Sequence, residues 1–137
     1  MQFILDASIA LAWHFEDESS ALADAIAERC LDERVIVPRH WHAEVTNGLL
    51  SGERRKRTAP DRVAFFLKRL ALIDLVEDDM GGEEVFERIL PLARAHKLTV
   101  YDALYLELAE RQGVPLATLD TELAIAGRSV GIEILGA

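Results

Sequence analysis

Short uninterrupted apolar runs alternate along this chain with stretches in which apolar residues recur every three or four positions, and each pattern predicts a different element. Met1 to Leu5 is a run of the first kind and predicts a buried strand. It leads into "SIALAWHF" and then into "SSALADAIAERCLDE", where Leu22, Ile26 and Cys30 share one helix face. "VIVP", Val35 to Pro38, predicts a second strand. "RHWHAEVTNGLLSG" predicts a helix with Trp41, Val45 and Leu49 on its core side and Gly52 as its stop. Beyond the charged "ERRKR", Thr58 and Pro60 open the helix "PDRVAFFLKRLALI", with Val63, Leu67 and Leu70 at helical spacing. A third strand is expected near "IDLVED". After Gly81 and Gly82 come a helix from about Glu83 to His96 that contains Pro91, a helix from Tyr101 to Gln112 stopped by Gly113, a strand "VPLATL", a short helix "TELAIAG" and a last strand "IEIL".

Strands alternating with helices predict an α/β fold in three layers, a parallel sheet covered by helices on both faces. The expected sheet has five strands in the order 3-2-1-4-5, within a single domain spanning residues 1–137. Sheets of this kind bind ligands beyond the carboxyl ends of their strands, where the strand order reverses. Here that point lies between strands 1 and 4.

Acids gather at that edge. Asp6 ends strand 1 and Asp120 ends strand 4. Asp102 lies in the first turn of the helix before strand 4, and Glu44 lies near the start of the helix after strand 2. Each has a local explanation: Asp6 and Asp120 could cap the helices that follow them, Asp102 sits three residues after Thr99 as a capping-box acid does, and Glu44 could be solvated surface. Their shared edge calls for more. Two carboxylates about 4 Å apart repel by roughly 4 kcal/mol at an effective dielectric of 20. A hard divalent ion, Mg²⁺ or Mn²⁺, resolves such a conflict and takes oxygen ligands together with substrate phosphates. The expected chemistry is phosphodiester hydrolysis. Ser8, Asn47 and Thr118, each within three residues of one of these acids, are candidates to orient the carboxylates or bound water.

Charge and composition narrow the function further. Twenty-four acidic residues against fifteen Lys and Arg give a net charge of −9, which argues against loose phosphate binding over the whole surface. Any nucleic-acid contact must use a local basic patch or metal ions. The densest patch is "GERRKR", with Arg54, Arg55, Lys56 and Arg57 as candidate RNA contacts; the competing reading is a solvated connection between helices. One cysteine, Cys30, excludes a disulfide framework and a cysteine zinc cluster, in keeping with a cytoplasmic location. The N-terminus resembles neither a secretory signal nor a membrane span. His40 and Glu44 are i,i+4, but there is no HExxH arrangement, so zinc is not expected and both His40 and His42 read as surface groups.

"FILDAS", "PRHWHAEVTNGL", "LTVYDALYLELA" and "LATLD" together resemble the ordered motifs of the PIN-domain ribonucleases, specifically the VapC-type toxins of toxin–antitoxin pairs. The resemblance spans nearly the whole chain. It implies that Asp6, Glu44, Asp102 and Asp120 form the family's acidic quartet, with Asp6, Asp102 and Asp120 holding Mg²⁺ or Mn²⁺ directly or through water and Glu44 binding water or a second ion. It assigns supporting roles to Thr118 and Asn47. It further implies endonucleolytic cleavage of RNA, tRNA or rRNA, leaving a 5′-phosphate and a 3′-hydroxyl, with inhibition of translation. A VapB-type antitoxin and a homodimer are the implied partners. Gly48 departs from the bulkier residue usual there, which touches only local packing.

Two other classes compete. A non-catalytic dimeric module would use the acidic edge only for docking. A Mg²⁺-dependent phosphotransfer domain would want a second Asp where Ser8 stands, or a Lys near the last strand, where "IEILGA" has none.

Overall fold

The computed structural model describes residues 1–136; Ala137, the last residue of the expected domain, lies outside the described residues. Five strands, β1 (Gln2–Leu5), β2 (Arg34–Val37), β3 (Leu75–Glu77), β4 (Leu116–Thr118) and β5 (Ile134–Gly136), form one sheet in the order β3-β2-β1-β4-β5. Every pairing is parallel. The order is the one the sequence predicts. Phe3, Ile4 and Leu5 of β1 and Leu116, Ala117 and Thr118 of β4 are all buried, as expected of central strands covered on both sides.

The connections are α1 (Ala7–His14), α2 (Ala21–Arg29), α3 (Trp41–Arg54) and α4 (Pro60–Leu70), then α5 (Leu90–His96), α6 (Val100–Gln112) and α7 (Thr121–Ser129). The path β1-β2-β3 moves outward in one direction and β4-β5 in the other, so right-handed crossovers lay α1–α4 on one face and α5–α7 on the other. The packing agrees: α1 lies against α2 and α3, and α6 lies against α5 and α7. α6 is buried on most of its circumference, through Ala103, Tyr105, Leu106, Leu108 and Ala109. Among the described residues no helix is long and apolar enough to cross a membrane.

Two sequence expectations are corrected. Gly52 does not stop α3, which runs on to Arg54. The glycine serves packing instead: a Cβ there would meet Phe15 Cζ at 2.5 Å, and one at Gly48 would meet Leu11 Cδ1 at 2.6 Å. The two glycines, one helical turn apart, form a groove in α3 that receives Leu11 and Phe15 of the α1 segment. In α4 Val63 and Leu70 pack against the core as their spacing indicated, but between them it is Phe66 that is buried and Leu67 that is exposed. The helix expected from about Glu83 to His96 is present, running without a break from Gly82 to His96, with a π-helical stretch, Val85–Ile89, between its α-helical first turn, Gly82–Glu84, and α5. Pro91, at the start of α5, has no N–H to give to a regular ladder.

Candidate active site

Parallel pairing of β1 with β4 sets the centre of the site. Leu5 stands opposite Ala117, and the Asp6 N–H donates to the Ala117 carbonyl at 3.0 Å, so Asp6 and Thr118 leave the sheet side by side. Asp6 occupies the N-cap position of α1 but makes no side-chain cap bond. Its carboxylate is used elsewhere. The Thr118 hydroxyl donates to Asp6 Oδ2 at 2.6 Å and the Ser8 hydroxyl donates to the same oxygen at 2.7 Å. Each hydroxyl also accepts a backbone N–H: Thr118 from Asp120 at 2.9 Å and Ser8 from Leu119 at 3.1 Å. Since an N–H can only donate, both hydroxyl protons are directed at Asp6.

Glu44, in the first turn of α3, reaches the same edge from the neighbouring strand's connection. Tyr105, fully buried in α6, donates its hydroxyl to Glu44 Oε1 at 2.6 Å and accepts the Ala7 N–H at 3.2 Å. His40 Nε2 lies 2.8 Å from the same Glu44 oxygen. The His40 ring packs near Tyr101 and Tyr105 and its side chain is 15% exposed, so the expectation of a surface histidine is corrected for His40 while His42 is exposed. Nor is Glu44 ordinary solvated surface.

Asp102 stands in the first turn of α6, where the Thr99 hydroxyl accepts the Asp102 N–H at 3.1 Å. Asp120 caps α7: its Oδ1 accepts the Leu123 N–H at 3.1 Å. For Asp120, the capping reading and a place at the site therefore hold together, since the cap uses one carboxylate oxygen.

Electrostatics join the four acids. Burial, then the negative charges of Asp120, Asp6 and Glu44, push Asp102 up from 3.8 to about 6. Burial also raises Asp6, assisted by Glu44 and opposed by the Thr118 and Ser8 hydroxyls. Tyr105 is held protonated by burial and by the charges of Asp6 and Glu44. Every charged group acting on Asp102 is another acid of the set. Among the described residues no three His, Cys, Asp or Glu side chains stand close enough together to hold a metal ion as they are placed. Like charges do not draw together unaided. The donor set is all oxygen and partly preordered by hydroxyls, and that chemistry fits a hard divalent ion completed by water.

The remaining candidates divide. Asn47 is exposed one turn along α3 from Glu44, on the same side. Arg54, Arg55 and Lys56 are exposed at the far end of α3. Arg57 donates to Asp17 and to Glu18, each at 2.8 Å, and its guanidinium lies 4.2 Å over the Phe15 ring. The groups that sequence reasoning missed are Tyr105 and His40. A signal for Tyr105 was present: it follows Asp102 by three residues on an apolar helix, and a buried tyrosine hydroxyl needs a partner.

The sequence profile of the PIN domain matches residues 3–128. The chain is 31% identical over 124 residues to ribonuclease VapC3 of Pyrobaculum aerophilum, covering 90% of this chain and 93% of that protein. Among solved structures, PAE2754 of Pyrobaculum aerophilum superposes with a TM-score of 0.69 at 25% identity, over 98% of this chain and 84% of the other. VapBC2 of Rickettsia felis, bound to a DNA fragment from its promoter, gives a TM-score of 0.66 at 12% identity over 98% and 97% of the two chains. FitAcB of Neisseria gonorrhoeae gives 0.64 at 14% over 98% and 96%. These last two likenesses concern the fold.

Proposed function

The chain belongs to the PIN-domain family, and from that premise we propose that it is a metal-dependent endoribonuclease of the VapC type, acting in the cytoplasm on tRNA or rRNA and thereby inhibiting translation. One observation carries the proposal: four acids, following β1, in α3, in α6 and following β4, act on one another electrostatically. Asp6, Asp102 and Asp120 would hold Mg²⁺ or Mn²⁺, directly or through water, and Glu44 would hold a water or a second ion. When bound, such an ion supplies polarisation of a phosphoryl oxygen and acidification of water.

The protein's own groups do the rest. Thr118 and Ser8 fix the rotamer of Asp6 and offset part of the cost of burying its charge. Asp120 is fixed by its cap at α7. Glu44 orients water toward phosphorus, in line with the leaving 3′-oxygen. The new P–O bond forms as the P–O3′ bond breaks; the attacking water gives a proton to solvent and the leaving 3′-oxygen takes one from it, leaving a 5′-phosphate and a 3′-hydroxyl.

A VapB-type antitoxin is the proposed inhibitor, and a homodimer the proposed assembly. In support of an apolar partner surface, a cleft of ≈ 400 Å³ between α2 and α4 is bordered by Leu31 and Leu72, which are 82% and 85% exposed. Purified, antitoxin-free protein incubated with total RNA should yield discrete fragments with Mn²⁺ and none with a chelator. Absence of cleavage across several RNAs, with Mn²⁺ present, would favour a non-catalytic binding module.

A further inference from the structure

The PIN-type reading assigns roles to acids and to the hydroxyls beside them, and leaves Tyr105 without one. Yet its hydroxyl joins two parts of the site by hydrogen bonds, reaching 61 residues back to Glu44 and 98 back to Ala7. The direction of each bond is fixed by chemistry. Ala7 offers an N–H, so the phenol oxygen accepts there, and its proton is left to donate to Glu44 Oε1. The Ala7 N–H is one of the donors that the start of a helix leaves without an intrahelical acceptor. Asp6, at the N-cap, does not use its side chain to satisfy such donors.

We infer that Tyr105 is a positioning residue for the ion site, its hydroxyl fixing the Glu44 carboxylate at the start of α3 and, through the Ala7 N–H, the start of α1 on which Asp6 stands. The tyrosine has 0% exposure and is held among core side chains, so the hydroxyl is rigid and reaches no substrate. His40 Nε2 also lies 2.8 Å from that Glu44 oxygen, which limits the space open to the carboxylate. Losing a group that orients a metal ligand typically costs 10–100-fold in metal affinity or activity, and Tyr105 is of that kind.

This inference rests on the proposed ion site, and the experiment separates the two. Mn²⁺ binding is measured directly, by electron paramagnetic resonance of the free ion, for wild type, Tyr105→Phe, Glu44→Gln and the double variant, with thermal melting to verify folding. Wild type should bind Mn²⁺. Tyr105→Phe should bind it about tenfold or more weakly. In the Glu44→Gln background Tyr105→Phe should cause much less further loss, since the hydroxyl then has no carboxylate to position; a purely structural role would instead give additive losses. Wild-type affinity in Tyr105→Phe, or full additivity, would overturn the inference. Failure of the wild type to bind Mn²⁺ would overturn the ion site itself.

A second measurement does not depend on Tyr105→Phe folding. The chain has two tyrosines, so Tyr101→Phe labelled with fluorotyrosine gives one fluorine resonance, from Tyr105. That resonance should shift on addition of Mg²⁺ and should stay put in the Glu44→Gln background. No shift in the first protein would contradict the inference.

Discussion

Thr118 and Asp6 lie 112 residues apart in the chain and meet through a 2.6 Å hydrogen bond between two buried side chains. The contact exists because β4 pairs with β1, and it gives a buried carboxylate a donor that burial alone would deny it. Replacing Thr118 by Val keeps the shape but leaves Asp6 Oδ2 and the Asp120 N–H each short of a partner. Thr118→Val is expected to lower stability by about 1–3 kcal/mol and cleavage by tenfold or more. Thr118→Ser should retain most of both. Thermal melting and RNA cleavage rates measure the pair, and a Val variant with unchanged activity would show that the hydroxyl is dispensable.

Acidity should reverse the usual trend in the metal-free protein. Asp102 titrates at about 6 when folded and near 3.8 otherwise. Below roughly pH 4 both states hold the proton and the shift has no effect on stability. As pH rises through the window from 3.8 to about 6 the unfolded chain releases its proton first, so stability falls, and the full loss is present above the folded value. Asp6, also raised, acts in the same direction. His14, lowered by burial and by the charge of Arg62, acts in the opposite direction over the same range, so the comparison is made against Asp102→Asn: relative to that variant the metal-free wild type should melt higher at about pH 5 than at about pH 7.5, and Mg²⁺ should raise the wild-type melting temperature more at the higher pH. Equal Mg²⁺ shifts at both would contradict the shared field.

The two glycines of α3 should respond differently to alanine. At Gly52 a Cβ meets the ring of Phe15, itself buried and covered by Arg57, so the clash falls on a rigid group. Gly52→Ala should destabilise by about 1–3 kcal/mol. At Gly48 the clash falls on the tip of half-buried Leu11, which can rotate, and the gain in helix propensity of up to ~1 kcal/mol offsets it. Melting curves of the two variants should differ in that order.

Among the basic residues, Arg57 is engaged by Asp17 and Glu18, which leaves Arg54, Arg55 and Lys56 as RNA candidates. Arg54 is about ten residues beyond Glu44, roughly 15 Å at ~1.5 Å per residue, a span that a bound strand can bridge. If these three side chains each meet a phosphate, replacing them by Ala should reduce the slope of log affinity against log salt by about 2, at ~0.7 per contact with single-stranded RNA. An unchanged slope would make the segment a solvated connection.

The sequence spoke most clearly where a residue's role is local. Buried runs such as "FIL" and "VIV" define strands because parallel strands are apolar on both faces. The convergence of Asp6, Glu44, Asp102 and Asp120 could be read from strand order alone, since all four lie at carboxyl ends or at helix starts above them. What stayed hidden depends on side chains that meet across layers. Nothing near Tyr105 in sequence indicates Glu44 or Ala7, and nothing near Gly52 indicates Phe15. Gly52 looked like a helix stop because the same absence of a side chain serves both ends. Periodicity misjudged α4, where an exposed Phe65 stands beside a buried Phe66, because an apolar helix at the surface has more than one face that could point inward.

The central claim is that the four carboxylates bind one cation site and cut RNA through it. Asp102→Asn tests this most directly, because it removes one charge from the centre of the mutual repulsion and changes almost no volume. RNA cleavage with Mn²⁺ should be abolished, Mn²⁺ binding should weaken, and the metal-free melting temperature should be unchanged or higher than in wild type. Full Mn²⁺-dependent cleavage by folded Asp102→Asn would contradict the account.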